Sequence, residues 1–442
     1  GDIGAHADHS IFALKFAPAE ISEAALAPIP NIKMESYAVY TNHIPGCMMR
    51  GVGNSQFNFI LGRMIDALAE RLEMDPITLA VKNFGHEWGT CPDASLQAVL
   101  ETGAQRIGWQ EKRHQPGEGK LFDGVKRRGV GFSVHPGWHA EWQEERRGQV
   151  QAKITLNPDC TVVLDAPSVE TGTGSNTCNV LGCAEALGFL GVTPDQITWV
   201  STIDTDSGMR DCVQTDSAVS FLQSEVMVHV AQQLKEKLLA LAAPVLGKPA
   251  DQLEIRGGQI LGAEKTISVK ELLMKGDLVP ISVMVSRKPA TQKTGVPYIA
   301  SFAEVEVDTA TGRTQVLKLV IVNDCGTVMY ASGAESQQIG GQVMAVGEAL
   351  TEELIYDPVH GIPLNFNFID YKIPTILDMP EIEPVLLEVW RGAGEYGACG
   401  IGEGTLTCTP RAIANAVYNA IGVRIDEIPI TPEKVLHALG RI

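Results

Sequence analysis

Toward its end the chain reads Gly397-Ala398-Cys399-Gly400-Ile401-Gly402-Glu403-Gly404 and then Thr409-Pro410-Arg411-Ala412-Ile413-Ala414-Asn415-Ala416. The first run alternates glycine with other residues, so its backbone can approach a ligand closely and leaves Glu403 with little cover from its neighbours. The second run starts a helix that continues to Ile421. Pro410 suits a first turn, where its missing N–H would be unpaired anyway. Free N–H groups and the helix dipole favour anions at such a start. A carboxylate wrapped in glycines beside a helix start could serve as a base next to a buried ligand.

Comparable loops lie further toward the N-terminus. Arg50-Gly51-Val52-Gly53 directly precedes a helical stripe of Phe57, Ile60, Leu61, Met64, Ile65, Leu68, Ala69 and Leu72. Glu170-Thr171-Gly172-Thr173-Gly174-Ser175-Asn176-Thr177 sits between a strand and a helix expected over 176–187. Thr215-Asp216-Ser217-Ala218 opens a longer helix expected to reach Leu241. None of these fits a phosphate-binding P-loop or a dinucleotide fingerprint, so ordinary nucleotide binding is not supported. Several anion-friendly helix starts in one chain suit a large phosphorylated cofactor.

Between the loops, Asp75-Pro76 begins a short helix to Asn83, and 117–128 reads as a linker or exposed loop. Short β-like runs follow at Val130 to Val134, Gln149 to Leu156, Thr161 to Leu164 and Gln196 to Thr202. Beyond Pro297, Ser301 to Val307 and Thr314 to Asn323 flank Asp308-Thr309-Ala310-Thr311-Gly312, a hairpin signal. A helix is expected over 337–353. Strands and helices mixed with long irregular loops give an α+β class.

Composition narrows the function. Of 442 residues, 53 are acidic and 35 basic, a formal charge of −18 that argues against a general nucleic-acid binder. Hydrophobic residues at 45% and charged residues at 20% allow a real core. No apolar run approaches the ~20 residues needed to span a bilayer, and no basic-then-apolar segment opens the chain, so a cytoplasmic location is expected. Nine cysteines without a C-x-x-C spacing read as free thiols in a reducing compartment. Forty-four glycines, about 10% against a usual ~7%, are the one anomaly, and they cluster in these loops.

Together these blocks resemble the molybdopterin-binding large subunit of the xanthine oxidase family of molybdenum hydroxylases. The Gly397–Gly404 loop and the helix after it resemble the family's signature, with Glu403 at the place of the catalytic glutamate. Thr41-Asn42 leading to Arg50-Gly51-Val52-Gly53, then Met74-Asp75-Pro76 and Lys82-Asn83, resembles a second block. Gly172-Thr173-Gly174, Asp204-Thr205-Asp206, the run from Gln337 to Glu353, and Asp370-Tyr371-Lys372-Ile373-Pro374-Thr375 continue the series in order.

The resemblance implies a two-lobed molybdopterin-binding fold of mixed sheets and helices. Residues 1–120 would end the first lobe, 121–290 would carry the G-x-G pterin loop, and 291–442 the catalytic loop. It implies hydroxylation of an N-heterocyclic aromatic or aldehyde carbon with oxygen from water, Glu403 acting as base. The cofactor would be molybdopterin, as the mononucleotide or cytosine dinucleotide, carrying molybdenum without protein side chains on the metal. Electrons would pass to [2Fe–2S] and FAD on partner subunits. Arg50, Gly51, Gly172, Thr173, Gly174, Thr215, Asp216, Ser217, Ala218, Ser220 and Gly402 would hold the cofactor, and Gln337 would donate to the metal's oxo ligand.

Thr173 stands where the family usually has Gln, which alters one pterin contact. Val52 replaces an aromatic that stacks on purines in some members, and Trp138 falls near a second stacking aromatic. These two would line the substrate pocket. The family's iron–sulfur and flavin regions are absent, as is the first half of the molybdopterin subunit, so a partner supplying that half of the cradle is expected. Two other readings fit the residues: reductive dehydroxylation of an aromatic thioester, and a cofactor-free scaffold subunit.

Overall fold

The computed structural model describes residues 49–51, 53–83, 93–136, 149–200, 206, 209, 214, 217–276, 279–288, 297–391 and 395–442. Helices α1 (Asn54–Arg71), α2 (Pro76–Asn83), α3 (Asp93–Ile107) and α4 (Trp109–Lys112) come first. Strands β1 (Leu121–Phe122) and β2 (Lys126–Pro136) follow, then β3 (Val150–Leu156), β4 (Val162–Asp165), helix α5 (Ser175–Ala186) and β5 (Ile197–Val200). The long helix α6 (Val219–Leu246) leads to β6 (Glu254–Arg256), β7 (Gln259–Leu261), β8 (Thr266–Ser268), α7 (Val269–Lys275) and β9 (Ile281–Arg287). The chain then forms β10 (Tyr298–Asp308), β11 (Thr314–Asp324), α8 (Ala331–Leu350), β12 (Glu381–Leu387), α9 (Gly404–Thr407), α10 (Thr409–Ile421) and α11 (Pro432–Ala438).

Two lobes result, each with its own core, in an α+β arrangement. One is built on a five-stranded sheet of order β1-β2-β10-β11-β12, antiparallel except for the parallel β11–β12 pair. Helix α10 lies on this sheet and is buried along its whole length. That close seat needs glycine at Gly131, because a Cβ there would stand 2.3 Å from the Ala412 carbonyl oxygen and from the Ala416 nitrogen. Helix α4 completes an aromatic trio on the same lobe: its Trp109 meets Phe132 of β2 edge-on at 5.7 Å and Phe302 of β10 at 6.1 Å. The other lobe, β3 to β9, packs a four-stranded sheet of order β5-β4-β3-β9 and a small three-stranded sheet around α6. Since β2 and β10 pair in register from Lys126↔Asp308 to Pro136↔Tyr298, the large sheet draws on both the 121–290 and 291–442 segments.

Three readings are corrected. The expected linker over 117–128 contains β1 and the start of β2, because β10 needs an eleven-residue partner and Arg128 pairs with Glu306 at 3.0 Å. The apolar stripe of α1 is buried only in part: Phe57 and Ala69 are buried but Met64, Leu68 and Leu72 are exposed, while the polar Asn58, Arg63 and Asp66 are buried. Their hydrogen-bond partners lie far away in sequence, so periodicity could not show them. Helix α6 runs on through Pro244 to Leu246 instead of ending at Leu241.

Candidate active site

Loops from both lobes enclose a cavity of about 430 Å³. Its lining comes from Arg50 before α1, the loop into α5, the segment opening α6, the turn between β11 and α8, the start of α8, and the loop 398–403 before α9. Sequence positions hundreds of residues apart therefore meet here, which is what the spaced glycine loops had suggested.

Arg50 ties the site together. Its Nε donates to the Gly402 carbonyl at 2.5 Å, and Nη2 donates to the Gln337 side-chain oxygen at 2.9 Å and to the Gln337 carbonyl at 3.2 Å. The Gln337 amide nitrogen in turn donates to the Gly172 carbonyl at 3.1 Å. Burial lowers the Arg50 pKa, and the nearby Glu403 charge opposes that shift. The Gly51 N–H faces a Glu403 carboxylate oxygen at 3.3 Å. The Glu403 N–H donates to the Ser217 hydroxyl at 2.8 Å, and Ser217 adopts φ 52 to reach it. The approach is tight: a Cβ on Gly400 would stand 1.6 Å from the Ser217 carbonyl oxygen.

The expected site residues Arg50, Gly51, Gly172, Ser217, Gln337, Gly402 and Glu403 thus form one connected set, with Thr173, Ala218 and Ser220 lining the cavity beside them. Gly174 caps α5 from the left-handed region. Val52, Trp138, Thr215 and Asp216 lie outside the described residues.

Two features were missed. Glu170 folds over its own loop: one carboxylate oxygen accepts from the N–H groups of Gly172 at 2.8 Å and Gly174 at 3.0 Å, the other from Asn176 at 3.2 Å. These backbone bonds hold the Glu170 pKa below the usual range despite the opposing effect of burial. The N–H groups expected to greet an anion are therefore already engaged, and the loop offers the cavity side chains and carbonyls. Glu170 stands inside the quoted motif, and an acid two to six residues before free amides was the available signal. Cys178, Cys325 and Cys399 also line the cavity. Burial pushes all three thiols up, Cys325 and Cys399 to about 12, so they stay protonated. Nothing in their spacing announces that they meet.

The lining suits a polar organic cofactor held by hydrogen bonds. The Ser175 hydroxyl is buried against the cavity without a hydrogen-bond partner, and such a group stays costly until something meets it. Arg50 is the one cation on the wall among the described residues.

Comparison with known proteins identifies the family. Family models described as molybdopterin cofactor-binding domain match residues 102–380 and 1–84. The chain belongs to the molybdopterin cofactor-binding domains of the xanthine oxidase family. The xanthine dehydrogenase molybdenum-binding subunit of Escherichia coli O157:H7 is 30% identical over 428 residues, covering 92% of this chain and 56% of that protein. An aldehyde oxidoreductase of Megalodesulfovibrio gigas is also 30% identical over 428 residues, covering 93% of this chain and 43% of its own length. Among solved structures, quinoline 2-oxidoreductase from Pseudomonas putida 86 superimposes with a TM-score of 0.76 at 21% identity, over 90% of this chain and 53% of that one. The chain spans about half the length of the curated relatives it matches.

Proposed function

We propose that this chain is the catalytic part of a molybdenum hydroxylase that adds water-derived oxygen to an electron-poor carbon of an N-heterocyclic aromatic or an aldehyde. The observation that carries the reading is the set Arg50, Gln337, Ser217 and Glu403, joined by hydrogen bonds on the wall of one cavity. These residues would hold a molybdenum–pterin group, which would supply the two-electron acceptor that oxidation of the substrate carbon requires.

The chain's own residues supply position and proton transfer. Glu403 is the base that takes the proton from the attacking oxygen. Gly51 N–H and the Ser217 hydroxyl fix the carboxylate and its backbone, so little reorganisation is needed when the proton moves. Arg50 compensates the carboxylate charge and locks Gln337 with its amide toward Gly172. Ser175, Thr173 and Ser220 offer the polar contacts for the pterin, in its mononucleotide or cytosine dinucleotide form, and Gln337 would give its remaining amide hydrogen to the metal's oxo ligand. Electrons leave to [2Fe–2S] and FAD on partner polypeptides, and another polypeptide segment completes the cradle. A cytoplasmic setting fits this chemistry, and among the described residues no helix is long and apolar enough to cross a membrane.

The test joins molybdenum analysis of the native complex with turnover of aldehydes and N-heterocycles in ¹⁸O-labelled water. Near-stoichiometric metal and label in the product are expected, and Glu403→Gln should keep the metal while losing roughly 10²- to 10⁴-fold in turnover. Unlabelled product, or full activity in Glu403→Gln, would overturn the proposal.

A further inference from the structure

Between α8 and β12 the chain forms a strap over residues 354–377 that turns its apolar side chains outward. Val359 is 81% exposed, Phe366 76%, Phe368 89%, Ile369 80%, Ile376 86% and Leu377 91%. Scattered apolar residues are normal on a soluble surface, but this density within one short segment marks a surface that another body covers. The strap is also held in shape. Leu364 N–H donates to the Ile355 carbonyl at 2.8 Å and Asp357 N–H to the Ile362 carbonyl at 2.9 Å. The Asn365 side chain bridges the Ile355 N–H and the Glu353 carbonyl, and the Tyr371 hydroxyl donates to Glu352 at 3.1 Å. A backbone fixed with its apolar groups pointing to water is preorganised for binding, since little ordering cost remains when a partner arrives.

We propose that this strap is the docking surface for the polypeptide that makes up the remainder of the molybdopterin-binding subunit, whether joined covalently or supplied as a separate chain. The proposal rests on the function proposed above. The chain covers 56% of the Escherichia coli relative and 53% of the quinoline 2-oxidoreductase chain, so those proteins carry a comparable mass beyond the part matched here. Helix α8 links the two places such a body has to reach. Its early turns carry Gln337 on the cavity wall, and its last residue, Leu350, leads into the strap. Twenty residues of helix span about 30 Å, the width of one small domain. A second copy of this chain fits the strap less well, because it would bring a further formal charge of −18 to the contact.

The test places the photo-crosslinking residue p-benzoylphenylalanine at position 368 of the full-length protein in its native cells. Met274, exposed in the other lobe, takes the same residue as the background position. Mass spectrometry of the purified complex should find position 368 joined to sequence matching the first half of the relatives' subunits, at least about tenfold above position 274. Crosslinks to another copy, to an iron–sulfur or flavin polypeptide, to residues 1–48, or no enrichment at all would each overturn the assignment. As a second measurement, Phe368→Ser with Leu377→Ser should lower the same crosslink, read from p-benzoylphenylalanine at the neighbouring exposed position 369, at least about tenfold while the circular dichroism of the protein is unchanged; an undiminished crosslink overturns it. Molybdenum content is read on the same complex. Metal without the crosslink defeats the docking assignment alone, and the crosslink without metal defeats the functional reading alone.

Discussion

The Ser217 hydroxyl accepts the backbone N–H of Glu403 at 2.8 Å from a residue whose own backbone is left-handed, at φ 52. The bond joins the opening of α6 to the loop before α9, and the strain it tolerates is the kind that persists where the surroundings hold a residue in place. Ser217→Ala should cost about 1–2 kcal/mol by leaving the Glu403 N–H unmet. Ser217→Gly should cost less, since glycine adopts the left-handed conformation freely. Urea unfolding of the two variants checks the order; equal losses would show that the backbone is not strained there.

Gly400 carries a sharper constraint on the same junction. With a Cβ 1.6 Å from the Ser217 carbonyl oxygen, Gly400→Ala has to push the two loops apart. A loss of about 3 kcal/mol is expected, together with loss of cofactor from the purified protein. Differential scanning calorimetry with metal analysis would reveal a neutral substitution if the loops can yield.

Arg50 grips three acceptors through its planar fork, two of them on Gln337. Arg50→Lys keeps the charge but cannot reproduce that geometry. Cofactor affinity should fall by about tenfold, equivalent to ~1.4 kcal/mol, and be read as molybdenum per chain after dialysis. Undiminished metal would remove Arg50 from the binding set.

Glu348 on α8 gives a pH dependence. Burial pushes its carboxyl up to about 7, although the Ser55 hydroxyl donates to it at 2.8 Å. Its folded pKa lies above the unfolded value, so the stability linked to it is fully present below about pH 4.5 and is lost as pH rises through 7. The loss approaches roughly 3 kcal/mol above pH 8. Glu348→Gln should flatten the stability profile between pH 5 and 8. A profile parallel to that of the wild type would contradict the assignment.

Arg411 is 1% exposed and donates through Nε and Nη2 to Asp66 at 3.0 and 2.7 Å. Asp66→Ala strands a buried guanidinium and should cost about 3–5 kcal/mol. Asp66→Ala combined with Arg411→Met should recover much of that, and chemical denaturation of both variants measures the difference.

Local elements were readable where their cause is local. The hairpin at Asp308–Gly312, the turn at Asn157–Asp159 and the restart at Pro76 follow from residues a few positions apart, and the structure has them. Readings failed where the cause is distant. The polar face of α1 is buried because Asn58 meets the Val134 carbonyl, Arg63 meets Asp426 and Asp66 meets Arg411. Strands β6 to β8 are three residues each, too short to show a period. At the site, Glu403, Arg50 and Gln337 were legible because motifs marked them. The engagement of Glu170 was not, since a motif names residue types and not which amides they occupy.

That engagement decides what the loop into α5 can offer a ligand. The Gly172 and Gly174 amides are taken by the Glu170 carboxylate, while the Gly172 carbonyl accepts from Gln337 and Gln337 accepts from Arg50. A ligand on this side of the cavity therefore meets the side chains of Thr171, Thr173 and Ser175 instead of free amides. The loop that looked like an anion receptor is a closed clasp, and its amides open to an anion only if the Glu170 carboxylate is first displaced.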